Sequence, residues 1–238
     1  ALAAPIVTWD YSISTVFTSA TLTDGSTLAT PTTLLQWGTP AGPTGQSALQ
    51  IMDPAGTVSG QVDTYIGGGA PPAAFIADGN TLEHRNFPIF APSLRSTTIT
   101  STLTLVDPDN PPNPGALSPL VISVTFAETT NAAPCGFPSG SICDDIFVIT
   151  SNPFLNASFD YLGDTYFVNV FPVSGGVLSF LDPATCVAAL GAGSFVVGDA
   201  VRRYQQRGDR IDQGRLAGAD VAGQQRVPAL GSQRPNSA

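Results

Sequence analysis

The sequence predicts an all-β protein, an antiparallel β-sandwich or jelly roll with an irregular C-terminal tail, on three observations. Twenty-one prolines and 24 glycines interrupt the 238 residues too often for long helices. Short stretches alternate apolar and polar residues with a period of two, the mark of half-buried strands. Charged residues are only 11% of the chain, against roughly 25% in ordinary soluble domains. Ser, Thr, Asn, Gln and Gly supply the polarity instead, which suits a β-rich protein outside the cell.

Residues 1–22 form a Thr-rich extended segment carrying Ile6, Val7, Trp9, Tyr11, Ile13 and Phe17. It reads as a first strand. The same pattern suits a strand donated to a neighbouring copy, because an extended peptide can complete another molecule's sheet edge; those six residues would then mediate assembly. The body, residues 23–200, follows. Within 98–106, Ile99, Leu103 and Leu105 share one face with Ser101, and Thr98, Thr100, Thr102 and Thr104 share the other. The run Asp107-Pro-Asp-Asn-Pro-Pro-Asn-Pro-Gly115 makes a long turn. Leu120, Ile122, Val124 and Phe126 alternate after it, so the two strands are expected to pair. Further strands are expected near 6–9, 12–22, 32–37, 46–51, 57–66, 73–77, 81–90, 145–150, 155–162, 165–173, 177–181 and 194–198, with one helical turn near 183–190.

Charge divides the chain near Ala200. Up to that residue there are 15 Asp and Glu against two Arg; beyond it there are seven Arg against three Asp, and no lysine occurs anywhere. Residues 201–238 are therefore read as an irregular Arg-rich tail that lacks strand alternation. An acidic body argues against nucleic acid as a partner, since a phosphate backbone needs a basic stripe. No apolar run approaches the roughly 18 residues of a transmembrane helix. The opening Ala1-Leu2-Ala3 looks like the end of a signal peptide, so export is expected.

Cys135 and Cys143 flank a short Pro/Gly/Ser loop, which predicts a local disulfide in an oxidising compartment. The alternative, half of a metal site, lacks a second His. Cys186 is left over.

Several patches jointly resemble a known family: Leu35-Gln-Trp-Gly-Thr-Pro40, Gln46-Ser-Ala-Leu49, Leu82-Glu-His-Arg-Asn-Phe-Pro-Ile89, Phe126-Ala-Glu-Thr-Thr-Asn131, Cys143-Asp-Asp-Ile-Phe-Val148 and Phe159-Asp-Tyr-Leu-Gly-Asp-Thr-Tyr166. Together they are similar to the THxN family of exported bacterial proteins, which usually end in a PEP-CTERM sorting segment. The family's His-x-Asn falls on His84 and Asn86, with Glu83 in place of the preceding Thr; Glu128, Asn131, Asp144 and Asp145 lie in the other patches. The resemblance covers roughly residues 30–190. It implies a secreted or surface-exposed protein and carries over no catalytic residue. The further Cys and Pro-Glu-Pro anchor of family members have no counterpart after Cys186. The basic tail thus reads either as a subunit-contacting extension or as something other than the natural C-terminus.

Chemistry is thinly marked. His84 is the only histidine and is flanked by Glu83 and Arg85, which favours a structural role. The only two glutamates, Glu83 and Glu128, are not placed by the sequence at a glycosidase separation. Calcium is the candidate cofactor, because Asp107 with Asp109 and Asp144 with Asp145 offer oxygen donors near turns. A sugar-binding surface would use Trp9, Trp37 or the tyrosines, although Trp37 reads as core. The expected function is a secreted, non-enzymatic structural protein of the cell surface or biofilm matrix. Its partners would be copies of itself, with filaments built by strand donation, and extracellular polysaccharide. A calcium- or glycan-binding module is the alternative, and a secreted hydrolase ranks last.

Overall fold

The computed structural model describes residues 8–65, 72–109, 114–117, 119–129, 132–134, 145–149, 157–168, 178–180, 184, 187 and 202–204. Strands dominate, all pairings are antiparallel, and the all-β sandwich expected from the sequence is what the chain forms. Among the described residues no helix is long and apolar enough to cross a membrane.

One large sheet organises the chain. Its strands run in the order β14 (Leu178–Phe180), β15 (Arg202–Tyr204), β11 (Ile146–Ile149), β10 (Leu120–Ala127), β8 (Leu94–Val106), β1 (Thr8–Leu22) and β5 (Thr57–Asp63). A short β9 (Gly115–Ala116) pairs with β8 where β10 has ended. The inner face is covered in two places. A three-stranded sheet, β2 (Leu34–Trp37), β4 (Ser47–Ile51) and β6 (Leu82–Arg85), lies over one half. The hairpin β12 (Ala157–Tyr161) and β13 (Asp164–Val168) lies over the other. A two-stranded ribbon joins β3 (Thr39–Pro40) to β7 (Ile89–Phe90).

The two covers make two cores. The first gathers Phe17, Leu22, Leu35, Trp37, Leu49, Leu94, Val124, Phe126 and Phe147. The second gathers Trp9, Ile13, Val62, Leu105, Tyr161, Tyr166 and Val168. There Trp9 meets Tyr161 and Tyr166 edge-on, each with ring centroids 5.3 Å apart, the geometry aromatic quadrupoles favour. Strands β1 and β8 run through both cores. In β8 the sequence alternation holds, with Ile99, Ser101, Leu103 and Leu105 buried and the intervening threonines partly exposed.

In β1 residues 9, 11, 13, 15 and 17 point inward, and after a bulge at Thr18 the inward set becomes Ala20 and Leu22. The extra residue changes the phase of the alternation. It leaves Thr18 and Ser19 both exposed, bonded to β8 through Thr18 Oγ1···Thr100 Oγ1 at 2.9 Å and Ser19 Oγ donating to Thr98 Oγ1 at 2.8 Å.

A polar belt separates the cores. Thr15 and Ser101 sit opposite each other in the β1–β8 register, with Oγ atoms 2.8 Å apart. Asn80 caps the pair and donates through Nδ2 to Gly56 O at 3.0 Å. Because all these groups are buried, hydrogen-bonding them to one another avoids the cost of leaving polar atoms unpaired.

Three expectations need correction. The strands expected at 6–9 and 12–22 are one strand from Thr8, since Asp10 sits on the solvent side of an unbroken ladder. The stretch 73–77 holds a 3-10 turn, Ala73–Phe75, following Pro72; two prolines remove the amide donors a strand needs there. The tail is not irregular from its start, because Arg202–Tyr204 pairs with β11 and β14. Backbone pairing needs no apolar alternation, so composition alone did not reveal it. The expected strand at 194–198 and most of the helical turn at 183–190 lie outside the described residues.

Truncating the first core should show its weight. Phe17→Ala is expected to destabilise by about 3–5 kcal/mol, because Phe17 is fully buried. Ser14→Ala, on the exposed face, should stay within about 0.5 kcal/mol. Urea unfolding followed by tryptophan fluorescence measures both, and similar losses for the two variants would contradict this division of faces.

Candidate functional site

The patches that carry the family resemblance are dispersed over more than a hundred residues, and the fold draws five of them to one place. Trp37 ends β2, Ser47 begins β4, His84 lies on β6 with Asn86 just beyond, Glu128 follows β10, and Asp145 precedes β11. The small sheet thus presents Trp37, Ser47 and His84 to the end of the large sheet that holds Glu128 and Asp145.

His84 is sealed in. It is 4% exposed, stacked against Trp37 at 6.0 Å between centroids and met edge-on by Phe126 at 5.2 Å. Its Nε2 is 3.6 Å from Asp145 Oδ2, a close polar approach across the two sheets. Burial pushes the imidazole down to about 3, because the apolar surroundings disfavour the cation. Asp145 is 1% exposed. Its Oδ1 accepts the Thr129 N–H at 2.8 Å and the Thr129 hydroxyl at 3.2 Å, which ties the segment after β10 to the start of β11.

Glu128 spans the seam. The Trp37 indole N–H donates to its Oε2 at 3.0 Å. Burial raises the carboxyl to about 7, against the opposing pull of the Trp37 N–H and the Ser47 hydroxyl. Ser47 is wholly buried; its hydroxyl donates to Phe87 O at 3.1 Å and accepts the Phe87 N–H at 3.1 Å. That hydroxyl is engaged by the Phe87 backbone and the Glu128 carboxyl, and neither it nor His84 is open to a substrate in this closed arrangement. Asn86 is likewise buried, at 2%. The chemistry of the cluster is therefore that of a polar weld between two sheets. Glu83 and Arg85 point away from it, paired with each other at 3.3 Å, and Arg85 also donates to Gln50.

The remaining candidates are scattered. Asp107 is buried and receives the Tyr161 hydroxyl at 3.3 Å, and its Oδ1 caps its own turn by accepting the Asp109 N–H at 2.9 Å. Asp109 is exposed. This pair borders the second core, whereas Asp145 borders the first, so these three described donors do not converge. Among the described residues no group of three or more His, Cys, Asp or Glu is placed to hold a metal ion. Asp144, Asn131, Cys135, Cys143 and Cys186 lie outside the described residues. Trp9 and Trp37, offered by the sequence as sugar platforms, are both core residues at 3% and 1% exposure.

The assembly residues Trp9, Tyr11, Ile13 and Phe17 are all buried within this chain, and Ile6 and Val7 lie outside the described residues. Strand β1 is bonded to β5 from Thr8 to Ser14 and to β8 along its length. Sequence reasoning missed Thr15 and the role of Ser47, which depend on partners 40 or more residues away; Ser47 falls within a resemblance patch, but no local signal gives its partner. No protein-family model matches the chain, and no curated protein matches it.

The cluster has a pH signature. Glu128 is raised from an ordinary 4.5, so its contribution is complete below 4.5 and is lost as pH rises through about 7. His84 is lowered from 6.5, so its contribution is complete above 6.5 and is lost as pH falls through about 3. Between 4.5 and 6.5 the two slopes oppose each other. Relative to the native protein, Glu128→Gln should gain stability as pH rises through that window, by at most about 1.4 kcal/mol per pH unit. His84→Gln should lose by a similar slope. Urea midpoints between pH 4 and 8 measure this, and curves parallel to the native protein's would refute the assignment.

Proposed function

We propose that the chain is a secreted structural protein of the bacterial cell surface or extracellular matrix. The observation that supports this best is a contrast between the inside and outside of the large sheet. Inside, the titratable cluster is closed and serves to join layers. Outside, the central rungs are uncharged and mostly hydroxyl: Ser59, Ser12 and Thr104; then Thr57, Ser14 and Thr102; then Val16, Thr100 and Val121; then Ser19, Thr98 and Ser123. A hydroxyl-rich sheet centre without charge, on an acidic protein, suits contact with extracellular polysaccharide, whose own groups are mostly hydroxyls. The low charge and the resemblance to the THxN family favour export.

Strand donation is the weaker part of the reading. Releasing β1 would break its ladders to both β5 and β8 and expose Phe17 and Ile13. Self-association, where it occurs, is better served by surfaces outside β1.

Fractionation of producing cells tests the proposal. The protein is expected in the cell-surface and matrix fractions, released with the polysaccharide; confinement to the cytosol would refute it. His84→Gln should lower the melting temperature of the purified protein without changing the fraction in which it is found.

A further inference from the structure

Thr15 and Asn80 meet inside the polar belt, at 4% and 5% exposure. The Asn80 carboxamide is held in one orientation. Its Nδ2 donates to Gly56 O at 3.0 Å and to Asp53 Oδ2 at 3.3 Å, and a backbone carbonyl can only accept. Oδ1 is therefore the atom turned towards β1, and the Thr15 hydroxyl lies 2.5 Å from it. With a carbonyl bond of about 1.23 Å, the hydroxyl oxygen stands within about 3.7 Å of the carboxamide carbon. Reacting atoms in near-attack arrangements lie about 3–3.5 Å apart.

The neighbours are arranged around that approach. Ser101 Oγ, 2.8 Å from Thr15 Oγ1, also holds the hydroxyl. Asp53 sits on the carboxamide nitrogen and is itself anchored by the Thr81 N–H at 2.7 Å. Buried Ile13 and Phe17 flank Thr15 on the same face of β1 and keep bulk water away.

We propose that Thr15 and Asn80 become joined by an intramolecular ester. The Thr15 oxygen adds to the Asn80 side-chain carbonyl carbon. Its proton passes to the amide nitrogen, which the Asp53 carboxylate faces at 3.3 Å, the carbon–nitrogen bond breaks, and ammonia leaves. No oxidant, reductant or further reactant is required. Without lysine, the chain cannot form the equivalent side-chain amide, and a buried hydroxyl is the nucleophile it offers. The ester fastens β1 to the segment leading into β6, and so the large sheet to the small one. It does not depend on where the protein resides.

The sequence supplies a clean test. The single methionine, Met52, lies between the two residues, and all three cysteines lie beyond it. Cyanogen bromide cleavage of the purified full chain therefore separates Thr15 from Asn80 unless they are bonded, and no disulfide can hold those pieces together. The expected result is one joined species under denaturing, reducing conditions, lighter than the two fragments combined by one ammonia. Hydroxylamine should release it into two, and the absence of Asn-Gly leaves the backbone intact. Thr15→Val and Asn80→Ala should yield separate fragments, and Asp53→Asn should slow the appearance of the joined species. Separate fragments from the native protein, at unmodified mass, would overturn the proposal and leave a hydrogen-bonded belt.

Discussion

The antiparallel pairing of β1 with β8 is the constraint from which the other contacts follow. Both strands are long enough to cross the whole sheet, and each supplies residues to both cores. Phe17 opposite Ile99 serves one core; Ile13 opposite Leu103 and Tyr11 opposite Leu105 serve the other. The covering layers, β2–β4–β6 on one side and β12–β13 on the other, each bury only half of this surface. Neither cover would have a complete apolar face to rest on if β1 were withdrawn. Strand pairing and core formation are here the same event, because hydrophobic burial is gained only once the ladder has placed alternate residues on one face.

Polar groups are placed where layers must meet in one way. The Thr15–Asn80–Ser101 belt lies between the cores, and the His84–Asp145 and Trp37–Glu128 contacts lie at the seam between the sheets. Such groups contribute little net stability compared with apolar packing, since burial removes them from water. They discriminate strongly, however. A mispacked arrangement would leave a carboxylate, an imidazole or a hydroxyl without its counterpart in a medium where that costs several kcal/mol or more. Glu128 illustrates the balance: desolvation dominates its ionisation although an indole N–H reaches its carboxylate.

Much of the fold was legible because period-two alternation survives in a half-buried sheet. Thr98 to Thr104 against Ile99 to Leu105 fixed the two faces of β8, and the partner at Leu120–Phe126 was found across a proline-rich turn. What stayed hidden was non-local. Nothing near Ser47 announces that its hydroxyl will cap Phe87, and nothing near Asp145 announces His84, 61 positions earlier in the chain. The resemblance marked Trp37, His84, Glu128 and Asp145 as separate patches; only the topology gives them a common address. Composition misled where it described side chains and the structure used backbone, as in Arg202–Tyr204. The described calcium candidates, Asp107 with Asp109 and Asp145, lie apart for a related reason. Acidic residues near turns are local signals, while a coordination sphere needs donors to converge.

Register is the remaining step. A one-residue slip between β1 and β8 would turn the inward set outward and bring the threonine face into the core. The apolar residues alone resist this less than their number implies, because Val16 and Val106 stand on the solvent side and would partly replace what was lost. The Thr15–Ser101 pair removes that ambiguity. In the correct register the two hydroxyls face each other and Asn80 closes over them. In the register that brings Val16 to the place of Thr15, Asn80 would lie against a side chain that cannot answer it, with Asp53 still bound to its amide. The bulge at Thr18 completes the specification, since it fits only one alignment of Phe17 and Ser19 with Ile99 and Thr98. A polar belt and a single extra residue thus select one pairing from several that hydrophobicity would tolerate.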